Sequence, residues 1–347
     1  MTDEALVLGL DVGGTSTRVL AVTPHGVRRG AGRASGGNPT GLGPERAAAA
    51  LAEALEQALA GLDPAGVRHV VLGLAGGGAL PSGEDLPGGQ AFTEVWARTG
   101  IRCPVEYEPD ALIAFAAGTA AAEGSLLLSG TGAVAIAVKD RAMAARADGH
   151  GWLLGDRGSG FWLGRQAALA AMAELDGEGP ATALTGLVIG SLRLRGTGQG
   201  SDSGSGTVSG SGTDEPQVTA RDVVAAAMAE PPTALARLAP LLTTACEAHD
   251  LVAEAIADRA AEHLLRTLTT VRGPDAATPI VLAGSILTNP TPVAERVRRI
   301  LREHWPDAPV TPALDGAAAA AWLALARIGP VPPPEVRERL FSVSTAS

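Results

Sequence analysis

The fold of this chain is decided by residues 6–22, which have the sequence Leu-Val-Leu-Gly-Leu-Asp-Val-Gly-Gly-Thr-Ser-Thr-Arg-Val-Leu-Ala-Val. Its apolar start, residues 5–12, is typical of a buried strand, and residues 17–22 are typical of a second strand that returns beside the first. Two glycines and a threonine stand between them and predict a tight turn, because glycine adopts backbone conformations that other residues disfavour. The segment therefore predicts a β-hairpin with glycines at its tip.

A similar hairpin is predicted further along the chain. Residues 125–129 and 133–138 are apolar runs, and the sequence Gly-Thr-Gly stands between them. Each hairpin is in position to open an α/β unit of its own, because segments with strand and helix patterns follow both. The two hairpins therefore predict an internal duplication.

The rest of the chain alternates between strand and helix patterns. Apolar residues at helical spacing predict a helix over 44–61 that ends at Gly61, and short apolar runs predict strands at 67–74 and 279–283. Residues 218–272 are predicted to be mostly helical. This alternation is typical of the α/β fold class.

The length of 347 residues and the position of the second hairpin predict two domains, residues 1–117 and 118–315. Glycine and serine dominate residues 196–213, and nothing in this segment offsets the entropy lost on ordering, so we predict a flexible insert. Asp315 is a candidate N-cap for a last helix over 316–327, which precedes a proline-rich tail.

The composition excludes several classes of protein. A net charge of −10 without a dense basic cluster argues against a nucleic acid partner, and a hydrophobic content of 46% excludes a disordered chain. Cys103 and Cys246 are too few for a disulfide framework. The first residues lack the basic region of a signal peptide, and no apolar run approaches the ~18 residues of a membrane span. We expect a soluble cytoplasmic protein that binds neither nucleic acid nor a membrane.

The first hairpin tip contains a candidate phosphate site. The backbone N–H groups of Gly13 and Gly14 can approach an anion closely, and the hydroxyls of Thr15 and Thr17 add donors. Asp11, two residues upstream of the glycines, could hold a hydrated Mg²⁺ beside the phosphates. An ordinary tight turn is the alternative interpretation of this segment alone.

Two further segments complete a candidate nucleotide site. The second hairpin tip has the same kinds of residue as the first, glycine and threonine, at Gly130, Thr131 and Gly132. Two such tips that face each other could bind a polyphosphate from both sides. Gly284 and Ser285 follow a predicted strand and precede a predicted helix, which leaves a surface flat enough for an adenine ring. Together the three segments predict a nucleotide-binding cleft.

Asp110 is the candidate general base. It stands in Glu-Pro-Asp, at the end of a predicted strand and the start of an alanine-rich helix that runs to about residue 117. A carboxylate at this edge of an open α/β sheet points into the crevice where ligands bind, and there it can accept a proton from an attacking hydroxyl. Capping of the helix that follows is the alternative role.

The candidate sugar site is a glycine-rich segment at residues 149–162. Its sequence is Gly-His-Gly-Trp-Leu-Leu-Gly-Asp-Arg-Gly-Ser-Gly-Phe-Trp. Asp156 could accept hydrogen bonds from sugar hydroxyls, and Trp152 or Trp162 could pack on the face of a sugar ring. Both tryptophans could instead lie in the core. His150 has no companion at metal-ligand spacing and is interpreted as structural.

Taken in order, these motifs resemble those of the sugar kinase/Hsp70/actin superfamily. In more detail, the chain resembles the BadF/BadG/BcrA/BcrD-type ATPase family, which includes N-acetylglucosamine kinases, and the resemblance runs from about Leu6 to Ala326. The matching segments are two phosphate motifs, an adenosine motif and an amino-sugar motif: Asp11–Thr17, Leu128–Gly132, Ala283–Ser285 and Gly151–Ala167.

The resemblance implies two RNase H-like domains with a cleft between them, and a last helix, 316–328, that packs back on the N-terminal domain. It also implies a homodimer. Asp110 corresponds to the family's catalytic aspartate, which accepts the proton of the sugar 6-hydroxyl. Asn38, Thr131 and Asp156 correspond to positions that contact the sugar or a phosphate.

The function that the resemblance implies is phosphoryl transfer from ATP, with Mg²⁺, to the 6-hydroxyl of a hexosamine. Gly76, which we include among the substrate contacts, stands where eukaryotic members carry serine, and the region of Asn38 lacks the tryptophan of some of them. N-acetylglucosamine and glucosamine therefore both stay open. The alternatives are a kinase of another hexose or anhydro-sugar, a non-catalytic sugar or nucleotide sensor, and a dehydratase-activator-type ATPase, for which Cys103 and Cys246 meet the required number of cysteines.

Overall fold

The structure, a computed structural model, describes residues 5–75, 89–193 and 218–342. Its framework is two five-stranded mixed sheets. The predicted insert at 196–213 and the predicted substrate contact Gly76 lie outside the described residues. Within the described ranges, no helix has the length and apolar content needed to cross a bilayer.

The first sheet begins with the predicted hairpin. It consists of β1 (Leu6–Val12), β2 (Ser16–Val22), β3 (Arg28–Ser35), β4 (Val67–Leu74) and β5 (Val105–Pro109). The strand order is β3-β2-β1-β4-β5, in which β2 is antiparallel to both β1 and β3, and β4 and β5 run parallel to β1. The carboxyl ends of the three parallel strands therefore lie at one edge of the sheet.

The second sheet repeats this arrangement. It consists of β6 (Gly124–Ser129), β7 (Ala133–Lys139), β8 (Ala142–Asp148), β9 (Ile280–Ala283) and β10 (Val310–Pro312). Its order is β10-β9-β6-β7-β8. As in the first sheet, one strand, β7, is antiparallel to both of its neighbours, β6 and β8, and two strands, β9 and β10, run parallel to β6. The shared topology supports the predicted duplication.

Helices cover the faces of both sheets. They are α1 (Pro39–Leu42), α2 (Pro44–Leu59), α3 (Gly89–Thr99), α4 (Asp110–Gly118), α5 (Gly160–Leu175), α6 (Ala183–Leu192), α7 (Ala220–Met228), α8 (Ala239–Glu247), α9 (Leu251–Val271), α10 (Ser285–Thr288), α11 (Pro292–His304), α12 (Gly316–Ile328) and α13 (Pro334–Phe341), with 3-10 turns at 64–66 and 232–238. α2 and α3 pack on one face of the first sheet, and α4 and α12 pack on the other. The α5, α8 and α9 helices share a core with the second sheet.

α4 lies between the two sheets. Ile113 and Ala116 pack with α12 and the first sheet, whereas Leu112 and Phe115 pack on the second sheet. A helix buried on several sides is apolar around most of its circumference, which explains its run of alanine, leucine, isoleucine and phenylalanine. Its first residue, Asp110, is thereby placed at the junction of the two sheets.

α12 packs on β1, at the opposite end of the chain. It begins at the predicted cap, Asp315, whose Oδ1 accepts a hydrogen bond from the backbone N–H of Ala317 at 3.0 Å. A Cβ at Gly9 in β1 would overlap the backbone of Ala317 and Ala321, so only glycine lets the helix approach the strand this closely. The predicted domain boundaries themselves stay a prediction.

The tail beyond α12 forms one more helix, α13, where we predicted only a proline-rich tail. Pro334 is its first residue, and proline is tolerated there because the first N–H groups of a helix have no intrahelical acceptor. Val336 and Leu340 are buried in the core that α12 shares with the first sheet. The prolines therefore start this helix rather than prevent it.

Candidate functional site

A cavity of about 760 Å³ opens between the two sheets. The first hairpin tip and the start of α4 line one side, and the second hairpin tip and the loop after β8 line the other. Seven of the residues predicted from the sequence line it: Gly14, Thr15, Asn38, Asp110, Thr131, Gly132 and Asp156. The fold therefore brings these residues, which are distant in the sequence, to one site.

Two smaller cavities lie next to one another at the predicted adenosine motif. One, of about 360 Å³, is lined by Asp11, Arg18, Gly284 and Ser285 and also by Asp110. Ser285 lines the second as well, which has a volume of about 190 Å³. Asp110 lines both this 360 Å³ cavity and the largest one, so the residue lies where two ligand-sized spaces meet.

Asp110 is the first helical residue of α4, and Pro109 occupies the cap position. The Oδ1 atom of Asp110 accepts a hydrogen bond from the backbone N–H of Ala111 at 2.9 Å. The pKa of Asp110 is raised to about 6: burial is the main cause, the charge of Asp11 also raises it, and the hydrogen bond from Ala111 N–H and the charge of Arg146 lower it. Such a carboxyl group can exchange a proton near neutral pH, as a general base must.

Asp11 forms an ion pair with Arg18, and both residues line the 360 Å³ cavity. Arg18 Nη2 donates to Asp11 Oδ2 at 2.7 Å, and the pKa of Asp11 is raised by burial in spite of this partner. Arg18 contacts one carboxylate oxygen, so the other can face a ligand. In the described ranges, no cluster of three or more His, Cys, Asp or Glu side chains could hold a metal alone. Asp11 suits a Mg²⁺ ion whose remaining ligands are water and phosphate oxygens.

The backbone at each hairpin tip is held by hydrogen bonds. Gly13 N–H donates to the carbonyl oxygen of Ser16 at 2.9 Å, and the carbonyl oxygen of Gly130 accepts from Gly160 N–H at 2.7 Å. The second tip is thereby attached to the start of α5. Gly13 and Gly130 lie within the two tips, although their atoms do not line the largest cavity.

The adenosine motif packs directly on the second tip. Gly284 has a φ of +82°, and a Cβ at this position would overlap the backbone of Ser129. Glycine meets both constraints, because it lacks a Cβ and adopts positive φ without strain. Ser285 then starts α10 at the edge of the two smaller cavities.

The Asp156 carboxylate is fixed against the second tip by Asp148. Asp148 Oδ1 accepts from the backbone N–H of Asp156 at 2.7 Å, and Asp148 Oδ2 accepts from Arg157 N–H at 3.2 Å. Asp156 Oδ1 in turn accepts from Ala133 N–H at 3.2 Å, and a Cβ at Gly132 would lie 2.9 Å from Asp156 Oδ2. Asp148 and Asp156 have φ values of +59° and +57°. Asp148 was not predicted from the sequence, because only the fold brings its carboxylate to the N–H groups of the later turn.

Arg146 is a second residue of the site that the sequence did not indicate. It lines the largest cavity from β8. Its Nε donates to the carbonyl oxygen of Asp148 at 3.2 Å, and its Nη2 donates to that of Gly149. The guanidinium group is therefore held in place by its own loop.

Besides Gly13 and Gly130, two more predicted residues line none of the three cavities. Thr17 is buried in β2, where its hydroxyl faces Gly37 and has no hydrogen-bond partner among the described residues. Trp152 is 41% exposed, and its ring meets that of Phe161 edge-on with 5.7 Å between the centroids. Neither side chain lines the largest cavity, so their predicted ligand contacts stay predictions.

Asn38 does line the cavity, and it also caps a helix. Its Oδ1 accepts from Thr40 N–H at 3.0 Å at the start of α1. The cap orients the side chain and uses its oxygen, so the amide nitrogen is the group that can donate to a ligand.

The sequence matches known proteins along most of its length. The model of a family described as the BadF/BadG/BcrA/BcrD ATPase family matches residues 8–324. The N-acetylmuramic acid/N-acetylglucosamine kinase of Clostridium acetobutylicum is 37% identical over 86 residues, which are 25% of this chain and 28% of that protein. The N-acetyl-D-glucosamine kinase of Dictyostelium discoideum is 25% identical over 203 residues, 55% of this chain and 61% of that protein. The matched segments thus span less than two thirds of either relative.

The fold is also similar to that of a solved structure. The putative N-acetylglucosamine kinase from Chromobacterium violaceum superposes with a TM-score of 0.70 at 22% identity, over 93% of this chain and 99% of that chain. This similarity, together with the two five-stranded sheets, confirms the predicted α/β fold with two RNase H-like domains.

Proposed function

The chain belongs to the BadF/BadG/BcrA/BcrD ATPase family, and from this premise we propose that it transfers the γ-phosphoryl group of ATP to the 6-hydroxyl of an amino sugar. The observation that supports this most strongly is the position of Asp110. This residue lines both the largest cavity and the cavity lined by the predicted adenosine motif. A base in phosphoryl transfer has to lie within hydrogen-bond reach of the acceptor hydroxyl, beside the place where this hydroxyl meets the donor phosphate.

The proposed arrangement assigns one part of the ligand set to each region. The sugar binds in the largest cavity, where Asn38 and Asp156 offer an amide and a carboxylate to its hydroxyls. The phosphates of ATP bind between the two glycine tips, at Gly14 and Gly132. The adenosine lies along the smaller cavities at Ser285.

Asp11 is the residue that we propose to hold Mg²⁺, through a water molecule. The ion would neutralise charge on the phosphates during the transfer. Arg18 keeps the Asp11 carboxylate oriented through the 2.7 Å ion pair. This pairing is compatible with a metal ion that arrives with the nucleotide, because the ion then needs few protein ligands.

In the proposed mechanism, Asp110 orients the 6-hydroxyl and accepts its proton as the phosphoryl group transfers. Most of the rate acceleration then comes from positioning and charge neutralisation, because the transition state of phosphoryl transfer is loose and involves little covalent chemistry on the protein. Closure of the two domains would exclude water, which would otherwise compete with the sugar for the phosphoryl group. The implied homodimer and cytoplasmic location stay predictions.

A coupled ADP-release assay tests the proposed function. The panel consists of glucosamine, N-acetylglucosamine, N-acetylmannosamine, glucose and N-acetylmuramic acid, with the Asp110→Asn enzyme as the blank. We expect sugar-dependent ADP release with at least one amino sugar, and a product whose phosphate is on the 6-oxygen by NMR. Binding of sugar or ATP without any ADP release would instead support a sensor.

The pH dependence of the reaction should report the titration of Asp110. Its pKa is raised to about 6 by burial, and the protonated carboxyl cannot act as a base, so kcat/KM should fall about tenfold per pH unit below pH ~6. The measurement is kcat/KM between pH 5 and 8. Glu108→Gln is the control, because burial raises the pKa of Glu108 to about 7 although this carboxyl pairs with Arg327 and does not line the cavity. An inflection that disappears in Glu108→Gln would contradict the assignment to Asp110.

Asp148→Gly should weaken sugar binding without weakening the fold. Glycine suits the φ of +59° at this position but removes both acceptors that hold Asp156 and Arg157. We expect the KM of the sugar to rise about tenfold, the KM of ATP to change little, and the thermal midpoint to stay within a few degrees.

The matched control is Asp140→Gly, at a φ of +52° in the exposed turn between β7 and β8. The same substitution there relieves the same backbone constraint at a residue that lines none of the three cavities, so both KM values should be unchanged. Equal effects of the two substitutions on the sugar KM would show that Asp148 does not position Asp156.

A further inference from the structure

Two residues of one helical turn belong to both of the smaller cavities. Among the described residues, Ser285 and Asn289 are the ones that line the 360 Å³ cavity and the 190 Å³ cavity alike. Ser285 is the first residue of α10, and the backbone N–H of Asn289 donates to its carbonyl oxygen at 3.4 Å. The two side chains therefore start one turn apart, with about 5–6 Å between their Cβ atoms.

The two cavities differ in chemical character on either side of this turn. Charged residues line the 360 Å³ cavity: Asp11, Arg18 and Asp110. Apolar side chains line much of the 190 Å³ cavity: Leu163, Leu242, Ile286 and Val293. Its volume is below the ~300 Å³ of pockets that hold a whole drug-sized ligand, so it takes one part of the nucleotide. A flat base suits the apolar cavity, and the phosphate end suits the charged one, which puts the ribose at the turn that both cavities share.

Two threonines near this turn already use their hydroxyls within the protein. Thr291 Oγ1 donates to the carbonyl oxygen of Ile286 at 2.7 Å and accepts from Ala294 N–H at 3.0 Å. Thr288 Oγ1 donates to the carbonyl oxygen of Gly284 at 3.0 Å. These two side chains serve the local backbone and have less to offer a ligand.

Ser285 and Asn289 differ from these threonines. Within the part of the chain that the structure describes, neither the hydroxyl of Ser285 nor the side-chain amide of Asn289 has a hydrogen-bond partner, and both residues are exposed. Each group can donate and accept, and neither carries a charge. This combination suits the hydroxyls of a sugar better than a phosphate or a metal ion.

We infer that Ser285 and Asn289 bind the two adjacent hydroxyls of the nucleotide's ribose, so that the protein selects ribonucleotides over deoxyribonucleotides. The inference rests on the proposed function and deepens it, because it names the class of nucleotide that the ATP site takes. The 2′- and 3′-hydroxyls stand on neighbouring carbon atoms, and each of them donates and accepts. A nucleotide that lacks one hydroxyl forgoes one of the two hydrogen bonds.

Isothermal titration calorimetry with the whole protein and Mg²⁺ tests this ribose site. The probes are ADP, 2′-deoxy-ADP and 3′-deoxy-ADP, which have the same base and the same charge. We expect each deoxy analogue to bind about fivefold more weakly than ADP, which is the effect of one neutral hydrogen bond. Equal affinities for the three nucleotides would overturn the inference.

Asn289→Ala and Ser285→Ala locate the effect. Each substitution removes one partner, so each should weaken ADP about fivefold and abolish the penalty of one deoxy analogue while it leaves the penalty of the other. Alanine suits the φ of −87° at position 289, so the backbone there needs no change. If both penalties persist in both variants, the hydroxyls bind elsewhere and the inference is wrong.

Thr288→Val is the matched control on the same turn. Valine has nearly the shape of threonine, and the hydroxyl that it removes is already bonded to Gly284. We expect the affinity ratios of the three nucleotides to equal those of the wild type. Loss of the penalties in Thr288→Val as well would show that any disturbance of the turn abolishes them, and the inference would fail.

Sugar-dependent ADP release from ATP is measured separately, so that the two proposals can fail separately. A protein that binds ADP better than its deoxy analogues but releases no ADP with any sugar of the panel would contradict the kinase function and leave the ribose site supported. A protein that phosphorylates a sugar but binds the three nucleotides equally would support the kinase function and overturn the ribose site.

Discussion

The Asp110→Asn enzyme is expected to lose about three orders of magnitude in kcat while it still binds ATP and sugar. Asparagine has nearly the same shape, and its side-chain oxygen can still accept the 2.9 Å hydrogen bond from Ala111 N–H. It cannot accept the proton of the attacking hydroxyl. The measurements are kcat in the coupled ADP assay and the two dissociation constants by calorimetry.

The stability of this variant separates a chemical effect from a folding effect. Burial raises the pKa of Asp110 from that of an ordinary aspartate, near 3.9, to about 6 in the folded state. The folded state therefore binds more protons than the unfolded state between these values, and the contribution of Asp110 to stability falls as the pH rises through about 4 to 6. Above this window asparagine removes the cost of a buried charge. We expect the thermal midpoint of Asp110→Asn at pH 7 to equal or exceed that of the wild type.

Glu108→Gln is the control for the loss of turnover as well. Glu108 stands two residues before Asp110, also has a raised pKa, and pairs with Arg327 at 3.0 Å outside the cavity lining. Its variant should retain kcat within about threefold. A near-normal kcat for Asp110→Asn would remove Asp110 from the mechanism.

The second large effect is expected on stability. Gly9→Ala should lower the free energy of unfolding by about 3 kcal/mol or more, because the new methyl group would overlap the backbone of α12 at Ala317 and Ala321. Backbone atoms cannot move aside as the end of a flexible side chain can, so α12 has to shift away from β1. The measurement is equilibrium denaturation in urea.

Gly329→Ala is the matched control for Gly9→Ala. It lies just beyond the same helix, in extended backbone with a φ of −167°, and a Cβ there has no atom within 4 Å. We expect a change of less than about 0.5 kcal/mol. If Gly9→Ala is as stable as Gly329→Ala, then α12 does not pack on β1 as described.

The hairpins and their order along the chain could be predicted because their signals are local. Apolar runs on both sides of Gly13 and Gly14, and again around Gly130, specify strand, turn and strand. The capping position of Asp315 was equally local and matches the structure. The position of Asp110 at the start of α4 followed from the same kind of pattern.

Other elements lacked such a signal. β3, with the sequence Arg-Arg-Gly-Ala-Gly-Arg-Ala-Ser, is too polar and glycine-rich to suggest a strand. Its glycines serve a contact that only the fold reveals, because a Cβ at Gly30 or Gly32 would overlap the backbone of α2 at Ala58 or Ala54. β8 is an alanine-rich edge strand without alternation, and it too was not predicted.

The candidate site shows the same limit. Asp148 and Arg146 act through hydrogen bonds to backbone groups of a later turn, and no spacing in the sequence marks such bonds. Trp152 was predicted to contact the sugar because it stands near Asp156 in the sequence, but this nearness carries no information about the direction of its side chain. In the structure the ring is 41% exposed and meets Phe161.

The packing of α12 on β1 also has a consequence for biosynthesis. A ribosome delivers β1 and α4 long before α12, so one face of the first sheet lacks the larger part of its cover during most of translation. Val7, Leu20 and Val71, which are buried beside α12 in the finished protein, have only α4 to pack against on this face until α12 is made. An expression fragment that stops before α12 should therefore aggregate, and supplying the missing helix as a separate peptide should restore its solubility.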